Sequence, residues 1–264
     1  KICSAMLKQR LLDGGIDAVI WPSQFGFRCG CSTEEAIYIA QGRIELARAQ
    51  RNGKVTLLAL DWAKAFDKIN TDWNFLFTGH WLNGNIGEDR KDIGMLIKIF
   101  CETFKNMKNP PALIMKTSGA TFSIIDREEI LKKVKAIKNS INAKSLPNVY
   151  VLHGDFKDEE MNQLYNHPKV KAHLTFTHGE GFGRPLLEAS FSGKPILAPL
   201  WSGQKDFLNK DYIVELPHTL TKVPKSAFPK EFSNNEAYWA TVNYALASKA
   251  IKNVYDNYDK FKLK

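Results

Sequence analysis

The chain has 264 residues, of which 44% are hydrophobic and 25% charged, a composition typical of a soluble globular protein with one large or two small domains. Its net charge of +9 is spread along the chain and not concentrated in one basic stretch, so the charge by itself does not decide the partner: it is compatible with anionic nucleotide donors or membrane-associated acceptors. We expect no nucleic-acid partner. No apolar run reaches the roughly 18 residues that a membrane-spanning helix needs, and the first ten residues lack the apolar core of a signal peptide. We therefore expect a cytoplasmic protein without a transmembrane segment.

The cysteines and histidines do not have the spacing of a metal site. Cys29 and Cys31 are separated by one glycine, and neither a second cysteine pair nor a histidine pair follows them. Zinc sites use wider and repeated spacings. We expect reduced thiols without a bound metal.

The first 71 residues have a character of their own. Ser23-Gln24-Phe25-Gly26-Phe27-Arg28 precedes a helical stretch, and an apolar strand over residues 55–60 ends at Asp61-Trp62-Ala63-Lys64-Ala65-Phe66-Asp67. The pattern predicts a short, mostly helical fragment with one strand. These segments resemble reverse transcriptases of the non-LTR retrotransposon and group II intron kind, in which the position of Asp61 carries the first metal-binding aspartate. Two-metal phosphoryl transfer needs further carboxylates, and no Asp-Asp pair follows, so Asp61 is a metal ligand only if this interpretation holds.

From residue 72 onward, apolar strands alternate with helical patterns. Near-continuous apolar strands separated by helices are typical of a parallel sheet that is covered on both faces. The sequence therefore predicts an α/β, Rossmann-like domain with helices on both faces of the sheet. The predicted strands are 74–79, 112–115, 149–152, 172–177, 195–198 and an edge strand at 211–215. The predicted helices contain the apolar positions 93–107, a segment capped by Asp126 with Glu129 whose apolar face includes Leu131, and residues 158–166, 185–192 and 236–258.

Basic residues follow the first two predicted strands. Ligands of parallel sheets bind beyond the carboxyl ends of the strands, where the loops after Gly79, Met115 and Thr177 converge. Arg90 and Lys91 lie in the first of these loops, and Lys116 directly follows the second strand.

A glycine-rich turn follows the fourth predicted strand. It reads His178-Gly179-Glu180-Gly181-Phe182-Gly183-Arg184-Pro185-Leu186-Leu187-Glu188-Ala189. The glycines let backbone amides approach a ligand, and the start of a helix favours negative charge. Phe182, Gly183 and Arg184 are the candidates for phosphate contact, while Glu180 and Glu188 can accept hydrogen bonds from hydroxyls. Phosphate on amides beside hydroxyls on carboxylates suggests a nucleotide sugar.

This segment resembles the Glu-x7-Glu motif of group 1 retaining glycosyltransferases with the GT-B fold, and the resemblance covers about residues 73–264. It implies that Glu180 is the catalytic glutamate beside the donor sugar and that Glu188 binds the ribose. It also implies that Arg90, Lys91 and Lys116 meet the diphosphate of a UDP- or GDP-sugar, with no required metal. The chain departs from the common Gly-Arg pair of the first loop by having Gly79-His80. The acceptor implied is a glycan, a lipid or a protein.

The sequence predicts two domains, a reverse-transcriptase-like fragment over 1–71 and a donor-nucleotide-binding domain over 72–264. In GT-B enzymes an acceptor domain normally precedes the donor domain, so we expect a truncated or chimeric chain with weak or no transfer activity. Three hypotheses follow. The first is a glycosyltransferase donor domain; the alternatives are a fragment of an RNA-directed DNA polymerase and an inactive fusion product.

Overall fold

The computed structural model describes residues 69–262 except Asn83, Ala120 and residues 228–235. These residues belong to the second of two units into which the chain divides, Trp62–Lys264. The expectations for residues 1–68, which include the N-terminal helical stretch, strand 55–60 and Asp61, lie outside the described residues. The division into domains at 71/72 therefore stays a prediction.

Six parallel strands form the central sheet in the order β3-β2-β1-β4-β5-β6. Leu76 at the middle of the sheet pairs with Ile114 on one side and with His173 on the other. The strands are β1 (Asn74–Thr78), β2 (Ala112–Lys116), β3 (Val149–Leu152), β4 (Val170–Leu174), β5 (Ile196–Ala198) and β6 (Val214–Glu215), and the helices are α1 (Ile93–Phe104), α2 (Ile124–Asn139), α3 (Asp158–Asn166), α4 (Arg184–Ser190) and α5 (Tyr244–Asp256). The predicted α/β, Rossmann-like class is confirmed.

Helices cover both faces of this sheet because strand side chains alternate between the faces. Phe75 and Phe77 of β1 pack with α1, α2 and α5 in one buried cluster. Leu76, between them in the sequence, packs with α3 and α4 in a second buried cluster. Buried aromatic residues of this kind contribute about 3–5 kcal/mol each to stability, judged by truncation to alanine. Both faces thus hold the strand ends in a fixed arrangement.

The predicted cap of α2 is wrong. Ser123 is the N-cap residue, and its hydroxyl accepts a hydrogen bond from the amide of Asp126. Asp126 instead accepts from the amide of Gly119 and contacts His153 Nε2 at 2.8 Å, because the preceding loop folds back over the first turn of the helix. Leu131, predicted on the apolar face, is 40% exposed.

The predicted helix over 236–258 is wrong in its first part. Residues Tyr238–Val242 form β8, which pairs antiparallel with β7 (His218–Lys222) in a separate two-stranded sheet. The helix begins only at Tyr244, after Asn243 caps it by accepting from the amide of Leu246. Aromatic and β-branched residues favour the strand, but its partner lies about twenty residues earlier, so a local pattern did not show the pairing.

Strands β4 and β6 differ most from the prediction, whereas β1, β2 and β5 differ by one residue at one end. Strand β4 begins at Val170 and ends at Leu174, whereas the sequence predicts 172–177. Strand β6 contains only Val214 and Glu215 and pairs with β5 at the edge of the sheet. After β4 the backbone leaves the sheet early and carries Thr177 to Glu180 into the region beyond the strand ends.

Candidate functional site

The strand order places a crevice between β1 and β4. The helix after β1 covers one face of the sheet and the helix after β4 covers the other, so the two connecting segments separate at their strand ends. Such a topological switch point is where open α/β sheets bind ligands. A cleft of about 420 Å³ lies there, lined by Thr78, Gly79, His80, Arg90, Lys91, Lys116, Thr117, Ser118, Met161, Glu180, Phe182, Gly183, Arg184 and Pro185. Apart from Glu188, the structure brings every candidate residue of the donor site into this one cleft.

Glu180 is held at the wall of this cleft by two cations. Its Oε2 lies 3.0 Å from the guanidinium of Arg90, and its Oε1 accepts from the ammonium of Lys91. Thr177 donates its hydroxyl to the same Oε1 at 2.8 Å. The side chains of Glu180 and Lys91 are only 10% and 8% exposed, whereas that of Arg90 is 50% exposed. One cation is therefore enclosed with the carboxylate, and the other remains accessible to a ligand.

This environment keeps Glu180 ionised. Burial alone would raise its pKa, but the Lys91 ammonium and the neighbouring donors hold the pKa below its ordinary value. Burial lowers the pKa of Lys91, and the carboxylate only partly reverses that effect. The pair is thus a carboxylate and an ammonium enclosed together, a combination that is stable only while both partners are present.

The main chain around Glu180 is supported from two directions. The carbonyl of Glu180 accepts from the hydroxyl of Ser202 at 2.7 Å and from the amide of Gly203 at 3.0 Å. His178 donates its amide to the carbonyl of Arg90 and stacks on Trp239 with ring centroids 3.9 Å apart. The antiparallel pair β7–β8, through Trp239 of β8, therefore packs against the loop that carries Glu180 and stabilises it. The sequence did not single out Trp239, because it lies far along the chain from the loop it supports.

Gly183 marks the turn into α4. It is the N-cap residue and has φ 94°, a left-handed conformation that favours glycine. A Cβ at this position would lie 3.3 Å from Cβ of Gln204, a tight contact that adds to the backbone strain of any other residue. Phe182, just before it, is 54% exposed and contacts Phe207 with centroids 5.3 Å apart. The predicted donor contacts Phe182, Gly183 and Arg184 consequently form one rim of the cleft.

Glu188 lies in an adjoining cleft, apart from Glu180. This second cleft has a volume of about 210 Å³ and is lined by Asp158, Met161, Asn162, Tyr165, Arg184, Glu188 and Phe191. Arg184 lines both clefts, and its Nε lies 2.5 Å from Glu188 Oε1. The Nη2 atom of Arg184 lies 3.2 Å from Oδ1 of Asp158. The Arg184 side chain is 71% exposed, so this ion pair is open to exchange.

Lys116 and His80 complete the basic side of the larger cleft. Lys116 donates to the carbonyl of Gly154 at 2.9 Å and lies 4.5 Å from the ring centroid of Phe156, and burial lowers its pKa. His80 Nδ1 lies 2.8 Å from the hydroxyl of Ser118. His80 was not among the predicted site residues. Its place after Gly79, where the resembled family has arginine, was the available signal.

Within the described parts of the chain, no group of three or more histidine, cysteine, aspartate or glutamate side chains is arranged to hold a metal ion. The candidate metal ligand Asp61 lies outside those residues. Over the same described residues, no helix is long and apolar enough to cross a membrane.

No protein-family model and no curated protein sequence matches the chain. Among solved structures, the chain is similar to the C-terminal domain of the group 1 glycosyl transferase LpcC from Francisella tularensis, with 14% identity, a TM-score of 0.48, and coverage of 78% of this chain and 87% of that one. It is similar to HepE from Anabaena in complex with UDP and glucose, with 15% identity, a TM-score of 0.43, and coverage of 76% and 44%. It is also similar to α,α-trehalose 6-phosphate synthase from Burkholderia multivorans, with 9% identity, a TM-score of 0.49, and coverage of 84% and 41%. The chain spans less than half of the length of the last two.

Proposed function

We propose that residues 72–264 form the donor-binding domain of a retaining GT-B glycosyltransferase, which binds a UDP- or GDP-sugar and passes its sugar to a glycan, lipid or protein acceptor. One observation carries the proposal. At the crevice between β1 and β4, the carboxylate of Glu180 is shared by Arg90 and Lys91 on the wall of a 420 Å³ cleft. A carboxylate for sugar hydroxyls and cations for phosphate thus lie within one side chain's reach of each other.

The charges of the cleft suit a diphosphate. Arg90, Lys91, Lys116 and Arg184 line it, with Glu180 as the only acidic side chain among its lining residues. When a glycosyl group leaves its diphosphate, negative charge accumulates on the phosphate oxygens. Cations in a partly enclosed site stabilise that charge more in the transition state than in the ground state. No metal is required for this stabilisation.

We expect Arg90 and Lys91 to have different roles. Arg90 is half exposed, so it can turn from Glu180 to a phosphate oxygen without a large desolvation cost. Lys91 is enclosed and stays with Glu180. Releasing Arg90 frees Oε2 of Glu180, which can then accept a hydrogen bond from a sugar hydroxyl. Because the pKa of Glu180 is below its ordinary value, this residue acts as an ionised acceptor and not as a general acid near neutral pH.

The adjoining cleft is the proposed position of the nucleoside part of the donor. Glu188 is only 29% exposed and faces Arg184. A ribose offers two neighbouring hydroxyls that can donate to the Glu188 carboxylate, and Arg184 can then turn toward the phosphates in the larger cleft. The combined volume of the two clefts is within the few hundred to about 1,000 Å³ that small-molecule sites usually occupy.

Calorimetric titration of the full chain with UDP-glucose and GDP-mannose tests the proposal. We expect weak binding of at least one of them, reduced about tenfold by Glu188→Ala, which corresponds to about 1.4 kcal/mol. The matched control is Glu129→Gln, which changes an exposed glutamate on α2 and is expected to leave binding unaltered. If neither nucleotide sugar bound, or if Glu188→Ala bound as tightly as the parent and the Glu129→Gln control, the donor-site assignment would be wrong.

A further inference from the structure

His80 is an exposed, titratable side chain on the basic wall of the larger cleft. It lines this cleft together with Arg90, Lys91 and Lys116. Its Nδ1 is engaged by the hydroxyl of Ser118 at 2.8 Å. Ser118 is 2% exposed, and its carbonyl accepts from the amide of Trp81 at 2.7 Å, so the hydroxyl is a fixed partner. In the described part of the chain Nε2 has no hydrogen-bond partner.

We propose that His80 is a further phosphate-binding side chain of the cleft, neutral while the cleft is empty and protonated once a phosphate chain occupies it. The inference rests on the proposed function for the identity of the ligand, but its chemistry requires only two linked phosphates.

The groups around His80 explain why it is neutral in the empty cleft. Partial desolvation by the cleft lowers the pKa of this exposed residue, and the cations Lys116, Lys91 and Arg90 lower it further. The opposing charge comes from Asp126 on α2, which is already engaged by His153 and by the amide of Gly119. Glu180 is likewise engaged by Lys91 and Arg90.

A phosphate chain reverses this balance. Two or more negative charges between the cations and the imidazole favour the imidazolium, since an opposite charge within about 4–6 Å stabilises the charged form. The protonated ring then donates from Nε2 to a phosphate oxygen, while the Ser118 hydroxyl accepts from Nδ1. Binding consequently takes up a proton from solvent.

The direction of the pH dependence follows from this uptake. The occupied cleft has the higher histidine pKa, so affinity for a phosphate chain rises as the pH falls through that value and levels off below the value of the empty cleft. A nucleotide sugar is the suitable calorimetric ligand because both of its phosphates are esterified, and it does not itself titrate between pH 5 and 8. We expect an affinity gain of about fivefold to tenfold on going from pH 7.5 to pH 5.5, within the range a single histidine can provide.

Histidine NMR of the full chain with inorganic pyrophosphate tests the inference directly. The C2 proton of His80, assigned by its disappearance in His80→Gln, should titrate at a higher pH with pyrophosphate than without it. His218 on β7 does not line the cleft and serves as the internal reference. A titration midpoint of His80 that stays in place or falls when pyrophosphate is added would overturn the inference.

Variants and a second ligand separate this inference from the proposed function. His80→Arg, which is permanently charged, should bind UDP-glucose with little pH dependence, and His80→Gln should bind it weakly at every pH without proton uptake. If pyrophosphate moves the His80 titration but no nucleotide sugar binds, the inference stands and the donor assignment fails. If a nucleotide sugar binds with no proton uptake in buffers of different ionisation enthalpy, the donor assignment stands and the inference fails.

Discussion

The two glutamates of the glycine-rich turn are eight residues apart in the sequence, but they lie in different environments. Glu180 is 10% exposed and is shared by Lys91, Arg90 and Thr177, with its main chain tied to Ser202. Glu188 is 29% exposed and contacts the guanidinium of an arginine that is itself 71% exposed. Glu180 is thus held in place by enclosed contacts, whereas Glu188 can exchange its arginine partner for another donor. The difference comes from the loop after β1, which supplies one enclosed cation, Lys91, and one accessible cation, Arg90, to Glu180 alone.

The largest expected effect that tests this comparison is on stability. Glu180→Leu would leave the Lys91 ammonium enclosed without its carboxylate, and breaking a buried ion pair in this way costs about 3 kcal/mol of unfolding free energy. Glu188→Leu should cost less than about 1 kcal/mol, because an exposed pair contributes little. Urea unfolding of the two variants gives both values. Equal losses would show that the two glutamates are equally embedded.

A second expected effect concerns Asp92, which follows Arg90 and Lys91 in the chain. Asp92 is fully buried, and its carboxylate accepts a hydrogen bond from the hydroxyl of Tyr244 at 2.8 Å. Burial raises its pKa to about 7. Because the folded state holds this proton more tightly than the unfolded state, the stability contribution of Asp92 is complete below about pH 4 and is lost as the pH rises through about 7.

Asp92→Asn should remove this loss while keeping an oxygen for Tyr244. Asparagine also tolerates the left-handed φ of 50° at this position. We expect the variant to match the parent near pH 4 and to exceed it by about 2 kcal/mol at pH 8, a discounted value for the shift toward neutrality. Urea unfolding at the two pH values measures the difference. A parent that is as stable at pH 8 as the Asp92→Asn variant would mean that Asp92 ionises in the folded protein without a cost in stability.

The smallest expected effect is on the Glu188 side. Arg184→Leu removes an exposed guanidinium that bridges Glu188 and Asp158, so the unfolding free energy should hardly change, because solvent screens exposed ion pairs. The comparison variant is Lys252→Leu, which breaks another exposed i,i+4 ion pair with Asp256 on α5. If Arg184→Leu destabilised the protein by several times more than Lys252→Leu, the bridge would be a structural element and not an exchangeable one.

Much of the sheet could be predicted from the sequence, because its strands are short apolar runs whose alternate residues are buried on both faces. Phe75, Leu76 and Phe77 illustrate this, since all three are buried although they point to opposite faces. The second sheet could not be predicted in the same way. The sequence predicts a helix that includes Tyr238–Val242, because no local pattern indicates that this segment pairs with His218–Lys222, about twenty residues earlier.

For the candidate site, the residue types and their approximate place were readable from the sequence. Parallel strands end at one edge of a sheet, so residues after β1, β2 and β4 had to lie near one another. The sequence did not show which cation would meet which carboxylate. Lys91 binds Glu180 and not Glu188 because the early end of β4 returns residues 177–180 to the β1 loop, where the amide of His178 meets the carbonyl of Arg90.

The sequence by itself determined the alternation of strands and helices from residue 72 onward and the gathering of basic and acidic groups at one edge of the sheet. Both follow from local apolar patterns and from the direction of parallel strands. Only the tertiary structure decided that Glu180 is enclosed, that Glu188 lies in a separate cleft, and that His80 joins the basic wall. These properties depend on burial and on contacts between segments about 90 residues apart, and no local pattern encodes the desolvation that such contacts produce.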